Sequence, residues 1–221
     1  MKNKVELLGY YGSDEIVACS AWTSTNRDLT QEKKDRIPKL LNMLARDGHH
    51  TPYEKCMVHF LVDTEIASHI HILKHRISSM NAESARYKEL KEDKFYIPED
   101  WGDIECAINP GIVATHAGNT WKTVLENYTQ IGNMLYHQCL KDLEPTLGRK
   151  RAKESARFFK TYNTQIQGDV MFNLRSFFNF QRLRNSEHAQ KEIREVAEQM
   201  LQLVKEIPGN PFEHTLLAFN L

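Results

Sequence analysis

The order of apolar and polar residues along the chain predicts a few separate strands. Residues 5–11, 53–63 and 161–172 fit extended segments, although Gly168 interrupts the last. In the second segment, one face carries Cys56, Val58, Phe60 and Val62. Residues 88–109 are expected to be mostly loop.

Helical spacing of apolar residues fills most of the remaining chain. The apolar residues of 32–46 recur at helical spacing, Gly48 sits where a C-cap belongs, and Pro38 weakens the first turn. Asp14 is expected to cap a short helix that ends at residue 21. Further helices are predicted over residues 65–78, 112–143, from 147 onwards, 174–184 and 188–207. Together these elements predict an α+β fold, a small mostly antiparallel sheet with several long helices, in one domain over residues 1–221.

Length and composition are those of an ordinary soluble protein. The chain has 221 residues, 41% hydrophobic and 26% charged. Lys and Arg total 29, as do Asp and Glu, so a formal net charge of zero argues against a general nucleic-acid binder but permits a small anion held by local arginines. Because no apolar run approaches about 20 residues and the cysteines form no CxxC pair, we expect no membrane span and a reduced, cytoplasmic protein.

Candidate binding groups are densest in residues 74–87. Lys74, His75 and Arg76 put three potentially cationic side chains at a predicted helix end. Ser84 and Arg86 could hold a phosphate, since Arg supplies a forked donor and Ser a hydroxyl. A solvated helix end explains the same residues, because cations favour the negative pole of the helix dipole.

His69, His71 and His75 raise the question of a metal site. His71 and His75 are four residues apart and share a helical face, a spacing that zinc sites use. No HExxH arrangement or fourth ligand accompanies them. Ordinary core or surface histidines are therefore the favoured interpretation, and no metal is expected.

Two other segments place polar groups beside predicted elements. Residues 49–54, just before a strand, could hold polar atoms of a ligand or form an ordinary Pro-containing turn. Arg175, Asn179 and Arg182 form a polar stripe on a helix whose neighbouring face is aromatic. This stripe could meet a ligand or another subunit, or could simply face solvent.

Ser186 is a candidate N-cap for the last long helix, which would put His188 in its first turn near free N–H groups that suit an anion. A capping element alone is the alternative.

The chain has no Walker loop, GxGxxG or nucleophile elbow, and no cysteine in an activating context. The hard chemistry of an enzyme would then belong to a cofactor.

Taken together, these segments resemble the flavin-dependent thymidylate synthases. That family's signature is Arg-His-Arg, seven residues and Ser, usually followed by x-Arg-Tyr; here it is Lys74-His75-Arg76, seven residues and Ser84-Ala85-Arg86-Tyr87. Two further family segments are matched by His49-x-Thr51-Pro52-x-Glu54 and Glu154-x-x-Arg157. The family's C-terminal motif is matched by residues 173–190. These matches stand in the correct order along most of the chain.

The resemblance implies a role for each matched residue. The residues implied to hold FAD are Ser24, Thr51, Glu54, Lys74, His75, Arg76, Asn173, Arg175, Asn179 and His188, and His49 is implied to stack on folate or nicotinamide. Those implied to hold the nucleotide are His71, Ser84, Ala85 through its backbone, Arg86 and Arg157. Arg184 is implied to meet the uracil ring and to be catalytic together with Ser84.

The implied reaction is reductive methylation of dUMP to dTMP. Methylenetetrahydrofolate would donate the carbon, and FAD with NADPH would supply the reducing power. The family is a homotetramer whose active sites combine residues from several subunits. A flavin-dependent hydroxymethylase acting on dUMP and a non-catalytic flavin- or nucleotide-binding homologue are the alternatives.

Several positions depart from the family pattern. Lys74 replaces an Arg and loses bidentate geometry. Ala82 stands where the family usually has a Glu that helps to hold the sugar, and Glu83 comes one place later. His71 replaces a Gln, and Lys160-Thr161 replaces Leu-Pro. These departures predict a divergent member with an altered pyrimidine or product preference.

Overall fold

A computed structural model of the protein describes residues 1–107 and 120–221. Within these ranges the strands are Lys4–Tyr11 (β1), Met57–Glu65 (β2), Ser79–Ala82 (β3) and Gln165–Asn173 (β4). The α-helices are Asp14–Trp22 (α1), Gln31–Asp35 (α2), Ile37–Arg46 (α3), Ile66–Leu73 (α4), Trp121–Ala156 (α5), Leu174–Arg184 (α6), Lys191–Lys205 (α7) and Glu213–Ala218 (α8). The predicted α+β class is confirmed.

The strands form one small antiparallel sheet in the order β1-β2-β4-β3. The register of β1 against β2 shifts between Leu7 and Gly9, as expected where one residue bulges. The predicted apolar face of the second strand is confirmed, because its members are at most 1% exposed: Cys56, Val58, Phe60 and Val62.

The chain folds into two compact units. The first consists of Met1–Lys2, Thr64–His69 and Ala82–Gln167, and the second of Asn3–Asp63, Ile70–Asn81 and Gly168–Leu221. The main apolar core lies in the second unit, and a smaller core within α5 lies in the first. The single domain over residues 1–221 stays a prediction. No helix in the described ranges is long and apolar enough to cross a membrane.

The predicted helix over residues 32–46 is divided into α2 and α3 at Arg36. Pro38 has no N–H for the carbonyl of residue 34, so a helix accepts it only in its first turn. Gly48 ends α3 as predicted: it follows the C-cap residue Asp47 with φ of +75°, and the His49 N–H donates to the Leu44 carbonyl at 2.9 Å.

Two boundaries near β2 differ from prediction. The strand begins at Met57 rather than at residue 53, because Thr51–Lys55 form a 3-10 turn in which the Tyr53 hydroxyl donates to the Leu41 carbonyl at 2.7 Å. The helix predicted over 65–78 ends at Leu73. The chain then turns into β3, an edge strand of four residues, which is too short for an alternating pattern to reveal it.

The long helical region agrees better with prediction. α5 kinks at Gly148, which has φ of +75°, close to where the second of two predicted helices begins. The predicted start of the first helix, at residue 112, lies outside the described residues. The third predicted strand begins at Gln165 rather than at residue 161, and α6 spans residues 174–184 as predicted.

Asp14 does not cap its own helix, so that prediction is wrong. Ser13 is the N-cap of α1, and its hydroxyl accepts the Ile16 N–H at 3.4 Å. The Asp14 carboxylate instead accepts the N–H groups of His214 at 2.8 Å and Thr215 at 3.0 Å, so it caps α8. Burial raises the Asp14 pKa, while these hydrogen bonds act in the opposite direction.

The proposed cap at Ser186 is also wrong. α7 begins at Lys191 with Gln190 at its N-cap, and Ser186 uses its carbonyl to accept the Ala189 N–H at 2.9 Å. His188 is exposed in the turn between α6 and α7. It therefore does not lie in the first turn of a helix.

Replacing Asp14 by alanine is expected to lower the free energy of unfolding by about 1–3 kcal/mol, because two N–H groups and the Thr215 hydroxyl lose a buried acceptor. Urea unfolding followed by circular dichroism measures this change. Glu15→Ala is the control, since Glu15 is exposed and pairs with the half-exposed Lys34; its effect is expected to stay below about 0.5 kcal/mol. Equal losses in both variants would contradict the capping role.

Candidate functional site

Helix α6 is anchored in the second unit at its start and along one side. The Asn173 side chain accepts the Ser176 N–H at 2.9 Å, and the Leu174 N–H donates to the Cys56 carbonyl at 3.0 Å. The buried side chains of α6 are Leu174, Phe177, Phe178, Phe180 and Gln181. Each buried Phe contributes about 1.5–3 kcal/mol by leaving water, so the apolar side sets the orientation of the helix.

The polar side of α6 faces a cavity of about 1520 Å³. Arg175 pairs with Glu54 at 2.5 Å, and Arg182 donates to the Asn179 amide oxygen at 3.1 Å. Arg184, the last residue of the helix, also lines this cavity. The predicted polar stripe is therefore open to a ligand-sized space.

Cations dominate the charged groups around this space, which we call the cationic cavity. Its cationic lining residues are Arg46, Lys74, Arg76, Arg175, Arg182, Arg184 and Lys205. Arg46 pairs with Asp47, as Arg175 does with Glu54, but the others have no carboxylate partner in the part of the chain that the structure describes. Uncompensated cations around a concave surface favour an anionic ligand.

His75 lies at the wall of the cationic cavity and is only 9% exposed. Its ring meets the Phe180 ring edge-on with centroids 4.9 Å apart, and Arg184 Nε donates to His75 Nε2 at 3.1 Å. Burial is the main cause that lowers the pKa of His75 to about 4, and the charges of Arg184 and His71 act in the same direction. His75 is therefore a neutral imidazole near pH 7.

A second cavity, of about 490 Å³, brings Ser24, His49 and Thr51 together. Trp22 and Leu40 contribute apolar surface to its wall. Apolar walls with a few hydroxyl and imidazole groups are typical of pockets that take a ring system. We call it the small cavity.

Ser84, Ala85, Arg86 and Arg157 all lie in the first unit. The Ser84 hydroxyl accepts the Arg86 N–H at 3.3 Å, so residues 84–86 form a tight turn. Arg86 Nε donates to Glu154 at 2.7 Å. Arg157 is exposed at the start of a 3-10 turn that follows α5.

Some of the predicted binding residues are not among those that line either cavity. Glu54 neutralises Arg175, and the side chain of Asn173 is engaged in the helix cap. His71 is half-buried on α4, and His188 is exposed in a turn.

Conversely, Arg46 and Lys205 line the cationic cavity but carry no signal in the sequence. Each lies in the last turn of its helix, α3 or α7. Cations are common at that position for reasons of the helix dipole alone. Only the folded chain distinguishes these two from other surface cations.

The buried thiol of Cys56 is a poor candidate for a nucleophile. Burial raises the pKa of the Cys56 thiol to about 11, which opposes formation of a thiolate nucleophile. Throughout residues 1–107 and 120–221, no three His, Cys, Asp or Glu side chains gather in a way that could hold a metal ion.

Comparison with known proteins identifies the family to which this chain is related. A family model described as "Thymidylate synthase complementing protein" matches residues 6–208. The chain is 31% identical to a flavin-dependent thymidylate synthase of Anaplasma marginale, over 92% of this chain and 68% of the relative. The corresponding enzyme of Pseudothermotoga lettingae is 32% identical over 92% and 85% of the two chains. This chain belongs to the flavin-dependent thymidylate synthase family. The family and enzyme class expected from the sequence are thus confirmed.

Solved structures agree with this assignment. The chain is similar to the UMP/dUMP methylase PolB of Streptomyces cacaoi bound with 5-Br dUMP, with a TM-score of 0.73 and 27% identity over 99% of this chain and 95% of that one. With 5-Br UMP bound, the same protein gives a TM-score of 0.75 and 26% identity at the same coverage. The predicted family fold is confirmed.

Lys160, which stands where the family usually has Leu, has a structural explanation. Its side chain is 3% exposed, and Nζ lies 2.6 Å from Asp93 and 2.8 Å from the Asn133 side chain. The same ammonium lies 4.4 Å from the centre of the Tyr136 ring. A buried cation with these partners is satisfied within the first unit, so this departure concerns packing rather than ligand chemistry.

Acid is expected to destabilise the protein partly through His75. The unfolded chain takes up a proton at this histidine near pH 6.5, whereas the folded chain does so only near pH 4. Between these values the unfolded state binds more protons, so stability falls as the pH is lowered from about 6.5 to about 4. His75→Gln should weaken this dependence, measured as the difference in urea unfolding free energy between pH 7 and pH 5.

His188→Gln is the control for this measurement, because His188 is an exposed histidine in a turn. This variant is expected to keep the wild-type difference between the two pH values. A His75→Gln protein with the full wild-type difference would show that His75 is not the buried neutral imidazole described above.

Proposed function

We propose that the protein catalyses the reductive methylation of dUMP to dTMP. The cationic cavity is the observation that carries this proposal, because it gathers arginines of the family motifs around one anion-binding space. In the overall reaction dUMP, methylenetetrahydrofolate, NADPH and a proton give dTMP, tetrahydrofolate and NADP⁺. The C5 hydrogen of the pyrimidine leaves as a proton, and the hydride comes ultimately from NADPH.

FAD fits the chemistry of the cationic cavity. A dinucleotide diphosphate is an anion, and Lys74, Arg76 and Arg182 have no carboxylate partner within the described ranges. Arg175 and Asn179, on the polar side of α6, would hold further polar atoms of the same cofactor. When bound, FAD supplies the redox chemistry that no side chain of this protein can provide.

The phosphate and sugar of the nucleotide would be held by groups that lie in the first unit. The turn at Ser84 offers the Ala85 backbone and the Arg86 guanidinium, and Arg157 is exposed, so these groups suit a phosphate. Glu154 orients Arg86 through a 2.7 Å hydrogen bond. In a homotetramer, as expected for the family, these groups and Arg184 would come from different subunits of one active site.

Arg184 would act on the pyrimidine. Charge builds on the uracil carbonyl oxygens as C5 becomes nucleophilic, and a guanidinium fixed in advance lowers the energy of that state. The residue lines the cationic cavity and has no carboxylate partner among the residues described. Its full charge is therefore available to the ring.

The small cavity would receive the ring of the carbon donor or of nicotinamide. His49 and Thr51 line it beside the Trp22 side chain, an arrangement that suits a flat heterocycle. The assignment of His49 follows from the resemblance of the motifs.

The proposed reaction is tested by mass analysis of the nucleotide after incubation with FAD, NADPH and methylenetetrahydrofolate. Methylation gives dTMP, whereas a hydroxymethylase gives a product heavier by one oxygen. Absence of any modified nucleotide from flavin-loaded protein would sink both proposals and leave a binding protein.

Arg184→Ala is expected to abolish turnover while FAD stays bound, because the guanidinium acts on the pyrimidine and not on the flavin. A loss of about a hundredfold or more in kcat is expected from removing one fixed donor at a developing charge. Arg194→Ala is the matched control, since Arg194 lies on α7 with Glu198 as its partner and does not line the cavity. Near-full activity in Arg184→Ala would refute this assignment.

The sugar preference of the site is a second question with a specific observation behind it. Glu83, the candidate for the sugar contact, has its carboxylate 2.5 Å from Lys88 Nζ and 3.1 Å from the Gln167 N–H. A carboxylate engaged in this way is poorly placed to select a deoxyribose, and Ala82 cannot replace it. The similarity to a UMP/dUMP methylase points the same way. We therefore propose that UMP is also a substrate.

UMP and dUMP compared under the same conditions test this proposal. Values of kcat/KM within about tenfold of each other are expected, since the difference then stays below about 1.4 kcal/mol. A preference for dUMP of a thousandfold or more would show that the site does select the sugar. Glu83→Gln should leave the ratio of the two values unchanged.

A further inference from the structure

We propose that His75 is a positioning residue for Arg184: its Nε2 accepts the Arg184 Nε–H, so that the two terminal guanidinium nitrogens remain to meet the uracil ring. This inference rests on the function proposed above. It assigns His75 a task that differs from the flavin contact implied by the family motif. The argument starts from the way in which α6 holds the imidazole.

Phe180 and Arg184 are four residues apart and therefore lie on the same side of α6. The Phe180 ring meets the edge of the His75 ring with centroids 4.9 Å apart, and Arg184 Nε lies 3.1 Å from His75 Nε2. Phe180 is itself fully buried against Phe172, with centroids 5.3 Å apart. The histidine ring is thus held by one turn of the helix that carries the arginine.

The backbone of His75 is also fixed. Its N–H donates to the Ile72 carbonyl at 2.9 Å, and its own carbonyl accepts the Ser78 hydroxyl at 2.7 Å. Together with 9% exposure, these bonds leave the imidazole little freedom to move. A rigid acceptor restricts the rotation of the long Arg184 side chain. Without it, the side chain would lose that rotational freedom only when the ligand binds, and this loss of entropy would weaken binding.

Protonation state and charge agree with this geometry. An imidazole that accepts at Nε2 must carry its proton on Nδ1 and be neutral, and a protonated ring would repel the guanidinium. The charged or titratable groups next to His75 are Arg184 on α6, His71 on α4 and the flanking Lys74 and Arg76. All are cations or histidines, and together with burial they favour the neutral ring.

An arginine donates through five N–H groups arranged in a rigid fork. Engagement of Nε by His75 uses one of them and fixes the plane of the fork. The four N–H groups on the terminal nitrogens are then free to donate in parallel to neighbouring oxygen or nitrogen acceptors of one ring edge. A carboxylate partner would have used part of that edge and lowered the net charge, whereas a neutral histidine does neither.

Two substitutions of similar size separate this role from a packing role. In His75→Gln the amide oxygen can reach the position of Nε2 and accept from Arg184, whereas the shorter side chain of His75→Asn reaches only the position of Nδ1. With flavin-loaded protein, dUMP affinity measured by equilibrium dialysis should stay within about threefold of wild type for Gln and fall about tenfold or more for Asn. Equal losses in the two variants would overturn the proposal.

A double-mutant cycle tests whether His75 acts through Arg184. If it does, His75→Asn should weaken dUMP binding less than about twofold when Arg184 is already alanine. Additive losses would mean that His75 contacts a ligand by itself. FAD affinity should differ little between His75→Asn and wild type. A large loss of FAD affinity would show that His75 contacts the cofactor instead.

A third measurement needs no ligand. Long-range ¹H–¹⁵N NMR of the imidazoles should find His75 protonated at Nδ1 and bare at Nε2, with His75→Gln identifying its signals. Arg184→Ala should raise the pKa of His75 towards its ordinary value, because one neighbouring cation is removed. A proton on Nε2 in the wild type would overturn the proposal. Absence of methylated product from wild-type protein with this tautomer present would instead sink the proposed function alone.

Discussion

The burial of one side of α6 is the constraint on which the candidate site depends. Phenylalanine rings on that side are packed in the core of the second unit, while the Leu174 N–H reaches the Cys56 carbonyl just before β2. With the start and one side fixed, the period of 3.6 residues determines where the remaining side chains go. Arg175, Asn179 and Arg184 reach the cationic cavity for that reason.

His75 is subject to the same constraint from another part of the chain. The end of α4 leads through a tight turn to β3, and His75 meets α6 within that turn. Its contact with Phe180 is apolar and its contact with Arg184 is polar, so one residue couples the core to the cavity wall. Displacement of α6 would break both contacts together, which makes the orientation of Arg184 a property of the core packing.

Local sequence patterns were sufficient to predict the strands and helices that bury one face at a regular period. The apolar period of β2 and the aromatic side of α6 were sufficient, because burial on one face imposes a period on the sequence. Asp14 shows the opposite case. Its neighbours suggest a cap for α1, but its carboxylate binds N–H groups two hundred residues later in the chain, at α8. No local pattern carries that information.

The candidate site likewise has residues that the sequence motifs point to and others that only tertiary packing brings in. The family motifs drew attention to Arg76 and Arg184, which line the cationic cavity, but they gave no sign that Glu83 is engaged by Lys88. Nor did they mark Arg46 or Lys205, which join the cavity only through tertiary packing. The pairing state of a charged residue depends on which neighbours folding brings near, and that is a long-range property.

The excess of positive charge in the cationic cavity affects both the stability of the protein and its affinity for an anionic ligand. Cations brought together without carboxylate partners repel one another, so the empty arrangement is less stable than one with neutral residues would be. The apolar side of α6 holds them together despite this repulsion. An anionic ligand relieves the repulsion when it binds, and the binding free energy then includes the energy stored during folding. Carboxylate partners at these positions would stabilise the unbound protein and weaken the site. Among the cations that line the cavity, Arg46 and Arg175 have such partners in the described residues, Asp47 and Glu54.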